Sequence, residues 1–554
     1  MKPSDTAAAT EPTSINTNQQ GSQLNTPMAS SDKTVGGAPL CKGLVTSWLT
    51  SLATADERLL VIAAFLTGAA VMLLHRPFSQ LEAGDAAFYD YIAQTILRGG
   101  IPYRDVVDIK GPAAPYLSAF AIMIGKSAGL RDILAIRALH LLMVGLLSSV
   151  TFLVANAYLC SRAAALIAFI IPLMRDPFAE FMIGGTQPKL PMMIFGLLSL
   201  LMIAKDRPFW AGSFSMLSCL CWQPGLMFTG TAFLVFSRYL TNWRDWRAMK
   251  VLLGAAIPFG GVALYFYSKA AFGDLWSLTI TYNYTVFGPE AKRGAGDALA
   301  HLWKVLTRVF GTDIVLVMLA LGGYSVQLVG IVKAKFNGRK TFISGNTLRD
   351  ALLIPPAVYF IFCLINFQAG PDLIPFIPFI GIFTAYFLVV IGRLLSSATG
   401  GEGRWSEVPW EAWVPSLAAS ILLLLALFRG ATYRPQTGAI QDQDKAFKSV
   451  AAAVGPDDKI YVHGTTELLV LLDKPNLNPY LDFDWGKDNY LARKKYNGSF
   501  KALLDEMEAE APKVVALSRL RVVAHRVELE RWVAEHYDKL EVPGYEGIYT
   551  RKRQ

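Results

Sequence analysis

Long apolar runs constrain this chain more than any other feature. An α-helix rises about 1.5 Å per residue, so roughly 20 apolar residues cross the hydrocarbon of a bilayer. Eleven such runs lie near 57–75, 132–158, 162–174, 189–204, 209–222, 225–240, 249–270, 313–333, 350–367, 373–392 and 412–428. Only 17% of the 554 residues are charged, against roughly 25% in soluble domains. The expected fold is an α-helical polytopic membrane protein with about eleven transmembrane helices and a small C-terminal α/β domain. Segment 113–130 opens on Pro112, is apolar on one side and carries Lys126, so it reads as a helix lying at the interface.

Charge between the runs orients them. Arg162, Lys205, Arg207, Arg238, Arg244, Arg247, Lys250, Lys333, Lys335, Arg339, Lys340, Arg349, Arg393 and Arg404 fall in one alternating set of loops, which should be cytoplasmic. The net charge of +9 therefore orients spans and does not imply a nucleic-acid partner. Residues 1–55 lack apolar periodicity and read as a disordered cytoplasmic tail, and no signal-peptide pattern opens the chain. Residues 56–428 form the transmembrane domain, and 429–554 the extracytoplasmic α/β domain. In that domain the strand-like runs 459–463 (KIYVH), 513–517 (KVVAL) and 548–550 alternate with helical patterns at 500–510 and 527–536. The cysteines Cys41, Cys160, Cys219, Cys221 and Cys363 show neither a disulfide framework nor zinc spacing.

One outer loop breaks the charge rule. Segment 76–112 carries Arg76, Arg98, Arg104 and Lys110 beside Asp85, Asp90, Asp105 and Asp108. Charge crowded at the mouth of a span points to a polar substrate. Asp85 precedes an apolar stripe (Phe88, Tyr89, Ile92, Ala93, Ile96, Leu97) that Gly99 and Gly100 terminate. It reads either as a helix cap or as a carboxylate base able to take a hydroxyl proton. Asp105 and Asp108 follow in an extended stretch. Lys110 precedes Gly111-Pro112, where a new helix and free amide donors would suit a phosphate. The plain alternative for these three is a solvated loop with local ion pairs.

The whole pattern, GDAAFYDYIAQTILRGGIPYRDVVDIKGP over 84–112, resembles the first extracytoplasmic loop of bacterial GT-C glycosyltransferases. That superfamily includes aminoarabinose lipid A transferases, protein O-mannosyltransferases and Rgt-like lipopolysaccharide sugar transferases. The resemblance implies an inverting transfer from a polyprenyl-phosphate sugar donor to a glycan, lipid or protein acceptor on the outer face of the cytoplasmic membrane. It implies that Asp85 is catalytic, that Lys110 approaches the donor phosphate, and that Arg137 in LAIRAL assists. Arg104, Asp105, Asp108, Asp176 and Gln187 join them as candidate substrate-binding residues. Segment 460–481 (IYVHGTTELLVLLDKPNLNPYL) is similar to the outer domain of some members. No acidic residue adjoins Asp85, and FQAGPDLIPFIPFI keeps a Pro-x-x-Pro shape without a preceding His-Tyr, so the acceptor stays open.

The second outer loop, with Arg175, Asp176, Glu180, Gln187 and Lys189, is placed to complete the site. No cofactor is expected, although a divalent metal between Asp85 and Asp176 is conceivable from two carboxylates. Gly125-Lys126-Ser127 is not a phosphate loop, because Phe120 stands where glycine is required. The histidines lack ligand spacing, and only His463, after a strand, stands out. Two rivals remain. An O-antigen ligase or polymerase would need a long late outer loop where 368–372 is short. A lipid-linked glycan transporter would need repeats or broken charged helices.

Overall fold

The computed structural model describes residues 55–174, 176–238, 240, 244–287, 294–336, 347–398, 410–434, 439–483, 486–490, 499–520 and 523–553. The N-terminal tail through 54, Arg175, Arg339, Lys340 and Arg404 lie outside them.

Every apolar run forms helix. Seven helical segments among the described residues are long and apolar enough to cross a membrane: Glu57–Ser79, Asp132–Leu159, Trp246–Ser268, Ala295–Lys333, Leu348–Ile365, Gly370–Ala398 and Trp413–Thr432. Arg162–Leu173 and Lys189–Ala204 are apolar but shorter. The runs expected at 209–222 and 225–240 become helices of 14 and 11 residues, which rise only about 21 and 17 Å, less than the hydrocarbon thickness. The bundle presents Leu59, Ile62, Leu66, Leu264, Leu394 and Leu424 outward, as a lipid-facing surface should. Inside, small residues let helices approach. A methyl group on Gly68 would meet Ser148 Oγ at 2.3 Å, and Ser149 Oγ donates to Val61 O at 2.8 Å.

The elements that carry the argument below are α1 (Glu57–Leu74), α2 (Gly84–Leu97), α3 (Ala113–Ser127), α4 (Asp132–Leu159), α5 (Asp176–Ile183), α6 (Lys189–Ala204) and α7 (Pro208–Cys221). The C-terminal region carries β1 (Ile460–His463), β2 (Val514–Leu517), β3 (Tyr537–Lys539) and β4 (Ile548–Arg551). These form one sheet in the order β1-β2-β4-β3, with β1 and β2 parallel and the other pairs antiparallel.

The sheet shares its core with the first outer loop. One apolar cluster joins Ile101, Tyr103 and Val107 to Tyr461, Phe483 and Leu517. Another joins Ala87, Tyr89 and Ile92 to Ile460, Val462 and Leu468. Hence α2, expected to bury one stripe, is covered on a second side: Tyr91, Gln94 and Thr95 are buried too. Gln94 Nε2 donates to Val470 O at 3.2 Å, and Asn476 N–H donates to the Tyr91 hydroxyl at 2.7 Å. His463 is buried and spent structurally, with Nδ1 on Ser518 O at 3.0 Å and Nε2 accepting from Phe483 N–H at 2.9 Å. The four described cysteines are free.

Candidate active site

Helix α2 starts at Gly84 with Ala83 as its N-cap, and no side chain caps it. Asp85 therefore sits in the first turn with its carboxylate free of capping duty. Asp85 Oδ2 lies 3.6 Å from Lys110 Nζ, and its side chain is 58% exposed whereas that of Lys110 is 17% exposed. One turn along the same face, the ring of Tyr89 lies 4.8 Å from Lys110 Nζ. The Lys110 ammonium, with Lys189 and Arg519 beyond it, holds the Asp85 carboxyl below the usual carboxylate range against the opposing effect of burial. The carboxylate stays ionised beside the Lys110 cation and open to solvent, as a base that must meet an incoming hydroxyl requires.

Lys110 is aimed by a braced loop. Tyr103 takes a left-handed φ of 74°, its N–H donates to Val106 O at 2.7 Å, and its hydroxyl donates to Lys110 O at 2.7 Å. Gln223 and Asn283 side-chain amides donate to Ile109 O at 2.6 and 2.9 Å. A Cβ on Gly111 would fall 2.1 Å from Leu220 O, so only glycine lets the loop lie against α7. Asp108 is buried, not solvated: its Oδ1 accepts from the N–H of Ile109 at 2.7 Å and of Lys110 at 3.2 Å. Burial pushes its carboxyl up, against the pull of Lys110. Burial likewise pulls the Lys110 ammonium down, with Asp85 opposing.

Arg104 and Asp105 pair with each other at 3.1 Å, and Arg104 also donates to Lys269 O at 3.0 Å. Asp105 accepts from Ile101 N–H at 2.7 Å. Both residues tie the loop to its surroundings at the protein surface. Lys189, at the start of α6, is buried against Asp372 at 3.1 Å and lies 4.8 Å from the Trp222 ring. Its charge acts on both Asp85 and Lys110. Asp372 belongs to the Pro-x-x-Pro segment and caps it by accepting from Gln368 N–H at 2.8 Å. Gln187 is buried, and its N–H donates to His140 Nε2 at 3.0 Å.

Two candidates have other employment. Arg137 is fully buried. Its five N–H groups donate to Gly184 O, Pro77 O, Gln80 O, Leu81 O and Glu82 Oε2 at 2.8–3.1 Å. An arginine has five such donors, so none is left for a donor phosphate, and the expectation that Arg137 assists there gives way to a structural role. It holds the 77–82 segment that leads into α2. Glu82 and Asp90 are buried beside it, and Glu82 Oε1 and Asp90 Oδ2 have no hydrogen-bond partner among the described residues. Burial, then the neighbouring Asp90, drives the Glu82 carboxyl well above its ordinary value, and burial raises the Asp90 carboxyl as well. Asp176 lies 3.2 Å from His75 Nε2. Among the described residues no three His, Cys, Asp or Glu side chains gather as a metal set, and Asp85 and Asp176 have different partners.

Arg519, which sequence reasoning passed over, reaches the site from the C-terminal sheet. Its Nη2 would lie 3.5 Å from a Cβ built on Gly84. The available signal was its place just beyond the carboxyl end of the strand 513–517.

No protein-family model matches the chain, and no curated protein matches it. Solved structures do. ArnT from Cupriavidus metallidurans, bound to undecaprenyl phosphate, is similar at a TM-score of 0.55 and 11% identity, over 92% of this chain and 100% of that one. Its apo state gives 0.51 at 11% identity, over 92% and 98%. The oligosaccharyltransferase of Archaeoglobus fulgidus, in complex with Zn and sulfate, gives 0.50 at 14% identity, over 89% and 73%. Identities this low establish a shared fold.

Proposed function

We propose that this chain, whose fold is that of the GT-C membrane glycosyltransferases, moves a sugar from a polyprenyl-phosphate donor to a hydroxyl-bearing acceptor at the outer face of a cytoplasmic membrane. The observation that carries the reading is an accessible carboxylate, Asp85, 3.6 Å from the Lys110 ammonium, with Lys189 behind. Undecaprenyl phosphate, the lipid in the ArnT structure, is the carrier class assigned to this site.

In the proposed reaction the acceptor oxygen attacks the anomeric carbon while Asp85 takes its proton. The bond from that carbon to the donor phosphate oxygen breaks, its electron pair leaves with polyprenyl phosphate, and configuration inverts. Lys110 and Lys189 stabilise the departing charge. The two roles are linked. When a phosphate draws Lys110 to itself, the chief influence holding the Asp85 carboxyl low is shared, and Asp85 becomes a better base at the moment it is needed. Because phosphate is a good leaving group, no general acid is required.

Lys110→Ala is expected to raise the apparent donor constant ten- to hundred-fold, the equivalent of about 1.5–3 kcal/mol for a charge-assisted bond. It should also move the acid limb of the pH–rate profile to higher pH, since the main influence lowering Asp85 is gone. Lys110→Arg should restore part of the affinity. Donor titration at saturating acceptor across a pH series tests this. An unchanged donor constant would place the phosphate elsewhere.

Charge and contact together support the proposed sidedness. The segments read as outer meet one another: Asp176 with His75, Tyr433 with Glu180, Asn283 with Ile109, and Val107 N–H with Pro479 O. On the basic side, Arg247 pairs with Asp206 at 3.4 Å. A reporter fused after Gln554 should be active outside the cytoplasm, and one inserted at 337–346 inside it. A cytoplasmic C-terminus would separate the sheet from any outer substrate.

A further inference from the structure

The ends of β1 and β2 give the site a third cation. Parallel strands leave a crevice beyond their carboxyl ends, where open α/β sheets bind ligands. Here β1 and β2 run parallel and adjacent, and Arg519 follows two residues after β2 ends at Leu517. Its position is pre-set. Ser518 N–H donates to His463 O at 2.9 Å, and the His463 ring bonds Ser518 O at 3.0 Å. Arg519 itself takes a left-handed φ of 58°, a conformation that costs a non-glycine residue energy and recurs where a side chain must be aimed.

Three cations act on Asp85: Lys110, Lys189 and Arg519. Lys110 has Asp85 itself as partner and Lys189 has Asp372. Arg519 is exposed, and it makes no ion pair or hydrogen bond among the described residues. Asp85 and Glu467 feel its charge without pairing with it. A guanidinium whose Nη2 would lie 3.5 Å from a Cβ on Gly84, next to Asp85, and that bonds no acidic group among the described residues, is a ready anion receptor with forked geometry. It comes from the sheet, whereas the two lysines come from the mouth of the bundle where a lipid donor enters.

We infer that Arg519 is a substrate-contact residue that binds an anionic oxygen group, phosphate or carboxylate, carried by the acceptor beside its reacting hydroxyl. The inference rests on the transferase reading and adds to it the charge of the acceptor. The shared chemistry with the donor phosphate makes the two sources worth separating, and the lysines and the arginine allow that.

The test uses full-length protein in nanodiscs. Undecaprenyl phosphate is titrated first. Inorganic phosphate, a water-soluble anion probe, is then titrated with and without saturating undecaprenyl phosphate, for wild type, Arg519→Gln, Arg519→Lys and Lys110→Ala. The expected result is phosphate binding that persists when the lipid site is filled, falls about tenfold in Arg519→Gln, and recovers partly in Arg519→Lys. Undecaprenyl phosphate affinity should stay within about twofold in both arginine variants and fall in Lys110→Ala. Thermal stability of Arg519→Gln should match wild type, since the side chain is exposed. Phosphate binding that is absent, unaffected by Arg519→Gln, or lost once the lipid is bound would overturn the inference. So would equal loss of both ligands in Arg519→Gln, which would assign Arg519 to the donor. Wild-type protein that binds inorganic phosphate through Arg519 but not undecaprenyl phosphate would instead overturn the donor reading.

Discussion

Asp85→Asn lowers the rate of sugar transfer by about 10²–10⁴-fold, the usual worth of a positioned base, and leaves the protein folded. The substitution keeps shape and removes only charge and basicity. Asp85 caps no helix and its side chain is 58% exposed, so the fold loses little. Its partner Lys110 is released from the pair and becomes freer to meet a phosphate. Donor affinity is therefore retained or improved while turnover collapses. This split between binding and rate distinguishes a lost base from a disrupted site. Single-turnover transfer and donor titration on the same purified variant measure both halves. Turnover near that of wild type would sink the assignment and leave Asp85 as an electrostatic partner of Lys110.

Arg137→Met destabilises the protein by about 3–5 kcal/mol, the cost of breaking a buried ion pair by removing one member. The replacement fills volume but abandons four carbonyls and Glu82 Oε2. It also leaves Glu82 and Asp90 without the cation that opposes their protonation. The pH dependence has a definite sign. Carboxyls whose folded values are raised stabilise below their ordinary range and lose that contribution as pH rises through the folded values. Without Arg137 those values rise further, so the deficit in melting temperature is larger at pH 8 than at pH 5. Thermal unfolding in detergent at both pH values tests it. A variant that melts like wild type at pH 8 would show that Arg137 is not the clamp of the 77–82 segment.

Much of this was legible along the chain because its causes are local. Apolar runs become helices wherever they occur, and the placement of Asp85 at a helix start and of Lys110 before Gly111-Pro112 follows from short-range signals. The span count was less legible, because a run of 14 residues such as Pro208–Cys221 announces its composition and not whether it crosses. Roles set by distant partners were hidden. Resemblance alone assigns Arg137 to the donor, although it is a cation in an apolar stretch. The same fact, read as a charge that must be neutralised within the protein, points to the clamp it forms. The solvated alternative for Asp108 fails because its carboxylate is buried and turned back onto the N–H groups of Ile109 and Lys110, which residue type alone does not announce. Arg519 carries only one local mark, its place just beyond strand 513–517, and its meaning depends on α2 lying more than 400 residues earlier in the chain.

The core shared by the catalytic loop and the C-terminal sheet has a consequence for biosynthesis. The bond from Asn476 N–H to the Tyr91 hydroxyl joins residues 385 apart in sequence. The loop bearing Asp85 is made well before the strands it packs against. Contacts of such separation form only after the long intervening segment has been closed. The core common to loop and sheet can therefore form only after both segments have been made. A chain cut before the sheet would leave the buried side of that loop, with Ala87, Tyr89 and Ile92, without its cover.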